Sequence, residues 1–137
     1  MKESFKLFGA EISPFSIKVR SYLKYKKIPH KWITKQHSKE YLKYAKLPLT
    51  PLLLSSEGSS MQDSTPIIES LEKKYKNLSI YPEDSRLSFI AALIEEYADE
   101  WGNKHMFHYR WSYKADQKLS SKRIAAMNVP TLIKYIP

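Results

Sequence analysis

The sequence predicts an α/β domain of order β-α-β-α-β-β-α over residues 1–80, followed by a short or truncated all-α region over residues 85–137. Three observations carry that expectation. Alternating, helical and again alternating patterns succeed one another between Phe5 and Thr34. Two further short apolar runs flank a turn at Ser55-Ser56-Glu57-Gly58 and end on a helix start at Thr65-Pro66. Beyond Tyr81-Pro82-Glu83-Asp84 the pattern changes to one long amphipathic helix.

Phe5-Lys6-Leu7-Phe8, leading to Gly9, reads as a strand, and Ser13-Pro14 opens a helix with proline in its first turn. Phe15, Val19, Tyr22, Leu23 and Lys26 recur at intervals of three and four, which gives that helix a core face, and Lys27-Ile28-Pro29 ends it. His30 to Thr34 alternates again, so a parallel strand pair joined by a crossover is expected. Tyr41, Leu42 and Ala45 place a short or irregular helix in the polar stretch Lys35–Lys46. Leu52-Leu53-Leu54 and Ser60-Met61-Gln62 form a hairpin. Thr65 is then expected to cap a helix whose face is Ile67, Ile68, Leu71 and Tyr75. Ser85 to about Tyr109 carries Leu87, Ile90, Ala91, Ile94, Tyr97, Ala98 and Trp101 on one stripe, a weaker helix is expected over 113–126, and Val129–Pro137 shows no capping logic.

Composition removes several functions. The chain has no cysteine, which excludes disulfides, thiolate metal sites and cysteine nucleophiles. No apolar signal-peptide core opens it and no uncharged run is long enough to span a bilayer, so a soluble, cytoplasmic protein without a membrane partner is expected. The net charge of +9 is confined to residues 1–50, where 12 Lys/Arg face 3 Asp/Glu; residues 51–137 carry 11 of each. Lys18, Arg20, Lys24 and Lys27 sit at helix spacing, which describes a solvated face rather than a nucleic-acid surface. His105 and His108 at i, i+3 are read as surface histidines, and no metal is assigned.

Three local features fall in order: Ser13-Pro14-Phe15-Ser16 at the first helix start, Thr50-Pro51 before the third strand, and Gln62-Asp63-Ser64 before the third helix. Together they resemble the glutathione S-transferase family over residues 4 to about 80, and Tyr81-Pro82 with the long helix after it looks like the passage into that family's helical domain. The resemblance implies a thioredoxin-like domain and glutathione as co-substrate. It also implies that Ser13 stabilises the glutathione thiolate through its hydroxyl and the helix N-terminus, with Ser16 as the second candidate. The alternative for Ser13 is a plain helix cap. A cis Thr50-Pro51 bond is implied, with the Thr50 main chain pairing the tripeptide like an added strand; the residues alone also allow a trans bond. Asp63 and Ser64 are implied to hold the γ-glutamyl end, with Gln62 and Phe15 as further glutathione contacts, against the alternative of a solvated capping turn. Ser13-Pro14-Phe15-Ser16 is also similar to the Cys-Pro-Phe-x of glutaredoxins with serine for cysteine, a departure that rules out a protein mixed disulfide.

The function expected is transfer of the glutathione thiolate to a small hydrophobic electrophile. The electrophile is expected near Tyr97, Trp101, His105, Met106, His108, Tyr109, Arg110 and Trp111. The alternative is a non-catalytic glutathione-fold module used for binding or dimerisation. Uncovered apolar helix surface points to a homodimer.

Overall fold

The computed structural model describes residues 4–34 and 38–132, with residues 127–132 as backbone only. The chain divides into two compact units, Met1–Tyr81 and Pro82–Pro137.

In the first unit, β1 (Phe5–Gly9), α1 (Pro14–Tyr25), β2 (His30–Thr34), α2 (Lys39–Tyr44), β3 (Leu52–Leu54), β4 (Ser60–Gln62) and α3 (Ser64–Lys74) follow in that order. The sheet runs β2-β1-β3-β4, with β1 parallel to β2 and antiparallel to β3, and β3 antiparallel to β4. The element order along the chain, the parallel β1–β2 pair and the β3–β4 hairpin are those the sequence predicts, and the fold is thioredoxin-like. Because successive strand residues face opposite sides, Leu7 and Leu53 join Val19, Leu23, Ile67 and Leu71 under α1 and α3. Phe8, Leu52 and Leu54 pack instead with Tyr41 of α2 on the other face.

α1 closes with a left-handed residue. Lys27 has φ 54°, its N–H reaches the Lys24 carbonyl at 3.1 Å, and the Ile28 N–H reaches the Leu23 carbonyl at 2.9 Å. That is the paired-bond helix ending usually built on glycine. Lys26, on the apolar stripe of α1, is buried. Its Nζ lies 2.7 Å from Glu72 Oε1, 2.7 Å from the Tyr75 carbonyl and 3.3 Å from the Leu78 carbonyl, and the Tyr22 hydroxyl donates to the same Glu72 oxygen at 2.7 Å. One buried cluster therefore ties α1 to α3 and to the chain that follows it.

α2 is the short helix expected in the polar stretch, capped by Ser38, whose Oγ accepts from the Tyr41 N–H at 3.2 Å. Leu42 departs from expectation: it is 77% exposed, and the helix is anchored by buried Tyr41 with the partly buried Tyr44 beside it. Residues 35–37 of that stretch lie outside the described residues. α3 begins at Ser64 with Asp63 in the cap position, two residues before the Thr65 cap expected from sequence. In the β3–β4 turn Gly58 has φ 86°, a conformation costly for any residue with a Cβ.

The second unit is helical: α4 (Ser85–Tyr97), a π-helical turn (Ala98–Gly102), α5 (Asn103–Ser112) and α6 (Lys114–Leu132). The Asp84 carboxylate caps α4, accepting the N–H groups of Arg86 and Leu87 at 3.0 Å each. The expected long helix from Ser85 is present, carries the π turn, and continues to Ser112; α6 outruns the expected 113–126. The part of Val129–Pro137 beyond residue 132 lies outside the described residues. Among the described residues no helix is long and apolar enough to cross a membrane.

Candidate functional site

Strand register places the three sequence motifs at one end of the sheet. Phe8 pairs with Leu52, and Leu52 with Gln62. The residues one step beyond that row are Gly9, Pro51 and Asp63. With strands spaced about 5 Å apart, the loop to Ser13, the Thr50-Pro51 turn and the start of α3 are neighbours. The Asp63 N–H extends the row by donating to the Pro51 carbonyl at 3.3 Å. Two helix N-termini, those of α1 and α3, belong to this end, so unpaired N–H groups and two positive dipole ends gather where an anion would sit.

Ser13 is half-buried and caps α1, its Oγ accepting from the Ser16 N–H at 3.2 Å. The cap uses a lone pair and leaves the hydroxyl proton to be donated elsewhere. The capping reading and the thiolate reading are therefore compatible at the level of one oxygen. The loop carrying Ser13 is held by Arg20, whose guanidinium grips Glu11 in a two-pronged pair at 2.7 and 3.1 Å and lies 4.5 Å over the Trp32 ring. Beneath the loop, a Cβ on Gly9 would come within 2.3 and 2.6 Å of Trp32 ring carbons and 2.9 Å of the Ser16 Cβ. The chain can leave β1 this close to Trp32 only as glycine. Ser16 is fully buried with no hydrogen-bond partner for its Oγ among the described residues, and Phe15 is half-buried.

The Thr50-Pro51 peptide is cis. Asp63 has φ 76°, is exposed, and makes no side-chain cap bond to α3. Ser64, at the first position of α3, is buried, and its Oγ has no hydrogen-bond partner among the described residues. A buried hydroxyl without a partner is uncommon, since leaving it so costs about 1–3 kcal/mol. Ser16 Oγ and Trp32 Nε1 share that condition; Ser64 differs in standing at the sheet end, on the first residue of α3.

Gln62 is committed elsewhere. Its Oε1 accepts the N–H groups of Lys46 and Leu47 at 2.8 and 3.1 Å, and its Nε2 donates to the carbonyls of Leu47 and Leu49, both at 2.9 Å. Both lone pairs and both N–H groups of the carboxamide are used within the protein. Sequence reading had no signal for this role, nor for Glu11 and Arg20.

A cavity of about 470 Å³ among Glu69, Glu72, Lys73, Lys76, Ser79 and Tyr81 lies at the other, C-terminal end of α3 and contains none of these residues. Burial first, then the bond to Glu72, raises the Tyr22 phenol well above its ordinary range. Burial alone would raise the Glu72 carboxyl, but hydrogen bonds from Lys26 and Tyr22 and the Lys26 charge outweigh it and leave it below the usual carboxylate value.

In the helical unit the expected electrophile-binding residues are largely open: Tyr97, Trp101, Tyr109 and Trp111 are exposed. Tyr109 stacks on Tyr113 with centroids 6.4 Å apart, and His108 Nδ1 lies 3.0 Å from Ser112 Oγ. Among the described residues no group of three His, Cys, Asp or Glu side chains could hold a metal ion.

The fold and this sheet end define a thioredoxin-like domain with a convergent pair of helix N-termini. The family described as "Glutathione S-transferase, N-terminal domain" matches residues 7–79, more than half of the chain. The chain belongs to the glutathione S-transferase family. No curated protein matches its sequence. Among solved structures it is similar to a glutathione S-transferase from Methylobacterium radiotolerans in complex with glutathione sulfonate, with TM-score 0.68 and 20% identity over 93% of this chain and 65% of that one. A glutathione S-transferase from Rhodospirillum rubrum gives TM-score 0.71 and 21% identity over 96% and 64%. A glutathione transferase homologue from Drosophila mojavensis with bound glutathione gives 0.57 and 27% over 72% and 48%. The chain thus spans less than two thirds of each of these proteins, and the two bacterial likenesses are of fold alone.

Proposed function

We propose that residues 1–80 form a glutathione-binding domain and residues 85–137 part of the helical domain of a glutathione transferase acting on a small hydrophobic electrophile. The observation that carries this reading is the buried, unpartnered Ser64 Oγ beside the uncommitted Asp63 carboxylate, at the sheet end to which the Ser13-capped α1 also points. In this reading the γ-glutamyl carboxylate accepts from Ser64 Oγ and the α3 amides, and its ammonium pairs with Asp63. The cysteinyl main chain pairs with the Thr50-Pro51 segment, Phe15 lines the site, and the sulfur lies at Ser13. The thiol proton leaves to solvent, Ser13 donates its hydroxyl proton to the thiolate as a hydrogen bond, and the sulfur forms a bond to the electrophilic carbon as the leaving group departs.

The test is conjugation of glutathione to an activated aryl chloride. Ser13→Gly is the informative variant, because glycine at a helix cap costs only a few tenths of a kcal/mol. The expected result is a fall of roughly 10²-fold in turnover, as when one charge-stabilising donor is removed. Equal rates for wild type and variant remove Ser13 from the mechanism.

The second reading is a non-catalytic glutathione-fold module, in which Ser13 serves only as the α1 cap. Retention of glutathione without turnover on a panel of electrophiles supports it. In both readings the protein is a cytoplasmic homodimer, and the exposed Leu87, Ile90, Leu93 and Ile94 of α4 support association.

A further inference from the structure

The segment Lys46–Leu49 precedes the Thr50-Pro51 turn and has no helix or strand of its own to fix it. Its leucines do not anchor it either, since Leu47 and Leu49 are 58% and 61% exposed. Side chains from two other elements hold it by the backbone. Gln62, the last residue of β4, makes the four bonds to Lys46, Leu47 and Leu49 described above. Tyr41, from α2, places its hydroxyl 3.0 Å from the Leu47 carbonyl and 2.7 Å from the Leu49 carbonyl.

The pattern that Gln62 meets is two donors followed by two acceptors, at a reach that suits a carboxamide. A carboxylate there would face two carbonyl oxygens without a proton, and an ammonium would face two N–H groups without a lone pair. The position of Gln62 gives the pattern its consequence. Gln62 is the residue before Asp63-Ser64, and the loop it grips is the one before Thr50-Pro51, so a single side chain joins the two segments proposed to hold the γ-glutamyl and cysteinyl parts of glutathione.

We infer that Gln62 is a positioning residue of the glutathione site: it touches no part of the tripeptide and sets the Thr50 main chain at a fixed spacing from Asp63 and Ser64. The inference rests on the glutathione-binding reading. Preorganisation of this kind acts on affinity, because a loop already held in its bound position loses less freedom on binding.

The test compares wild type, Gln62→Met and Gln62→Glu by amide hydrogen exchange and by calorimetric titration with glutathione. Gln62→Met keeps the bulk and removes the polar pattern; Gln62→Glu keeps the shape and removes both donors. In Gln62→Met the Lys46 and Leu47 amides are expected to exchange faster while those of β1 and β3 stay protected. Both variants are expected to bind glutathione roughly tenfold more weakly, with KM for glutathione raised and kcat at saturation unchanged. Wild-type affinity in both variants overturns the positioning role and leaves the glutathione-binding reading intact. Lost affinity with Lys46 and Leu47 exchange unchanged also overturns it, because Gln62 then acts by direct contact. A wild-type protein that takes up no glutathione overturns the underlying reading, and the exchange data still report whether Gln62 holds the loop.

Discussion

Replacing Lys26 with methionine removes the positive partner from the buried cluster and leaves the rest in place. Methionine fills most of the lysine stem, so the cavity term is small and the electrostatic loss dominates. The Glu72 carboxylate, 6% exposed, then keeps the Tyr22 hydroxyl at 2.7 Å and a backbone bond from Ile80, while the carbonyls of Tyr75 and Leu78 lose the Lys26 ammonium. Removing one partner of a buried ion pair costs about 3–5 kcal/mol, a large share of the about 5–15 kcal/mol that holds a domain folded. The assay is urea unfolding followed by Trp32 fluorescence with Trp101 and Trp111 changed to phenylalanine, which leaves the sole tryptophan in the first unit. At a slope of about 1.5 kcal/mol/M, a loss of about 4 kcal/mol lowers the midpoint by about 2–3 M. Lys26→Met combined with Glu72→Gln should recover much of the loss, because no charge is then buried alone. The pH dependence gives an independent reading. In wild type the Glu72 carboxyl is held below its ordinary value of 4.5, so its stabilising contribution is complete above that value and disappears as pH falls through the lower, folded-state value. In Lys26→Met burial remains without the counter-charge, the carboxyl is pushed up, and the stability deficit against wild type narrows as pH falls into the carboxylate range. A deficit under about 1 kcal/mol at pH 7 that does not change on acidification would refute the buried pair.

Ser64→Ala removes a buried hydroxyl that has no partner, so the free protein should gain up to about 1 kcal/mol, while glutathione affinity measured by calorimetry falls. Gly9→Ala forces a Cβ against the Trp32 ring and the Ser16 Cβ, and should cost about 1–3 kcal/mol in urea unfolding, with a shift in Trp32 emission. Lys27→Gly relieves a left-handed residue, φ 54°, at the end of α1 and should raise stability by about 0.5–1 kcal/mol in thermal melting; an unchanged or lowered midpoint would contradict this.

Local chemistry was legible where its partners are close in sequence. Ser13 before Pro14 marks the α1 start because a cap acts over three residues, and the Ser16 N–H to Ser13 Oγ bond is that cap. The succession of elements followed from alternation and turn residues for the same reason, whereas the β1–β3 pairing joins strands over 40 residues apart and had no local signal. Thr65-Pro66 misplaced the α3 start by two residues, because the chain enters the helix through Asp63, whose geometry includes a bond to Pro51 from another strand. Lys26 did announce itself, as a lysine on an apolar stripe, but Glu72 and the Tyr75 and Leu78 carbonyls are 46 or more residues away. Gln62 is the clearest limit. Its four partners are all backbone groups of a loop 13–16 residues earlier, so no side-chain pattern encodes them. In the second unit the amphipathic stripe gave the long helix, whereas nothing in Ala98–Gly102 marks the π turn.

The central claim is that glutathione lies across one end of the sheet with its sulfur at Ser13 and its γ-glutamyl carboxylate at Ser64. The most direct measurement is a crystal structure of the protein soaked with glutathione. The account predicts sulfur density within hydrogen-bonding distance of Ser13 Oγ, about 3–3.5 Å, and a carboxylate oxygen on Ser64 Oγ. Glutathione bound elsewhere, or a sheet end left free of it at saturating concentration, would contradict the account.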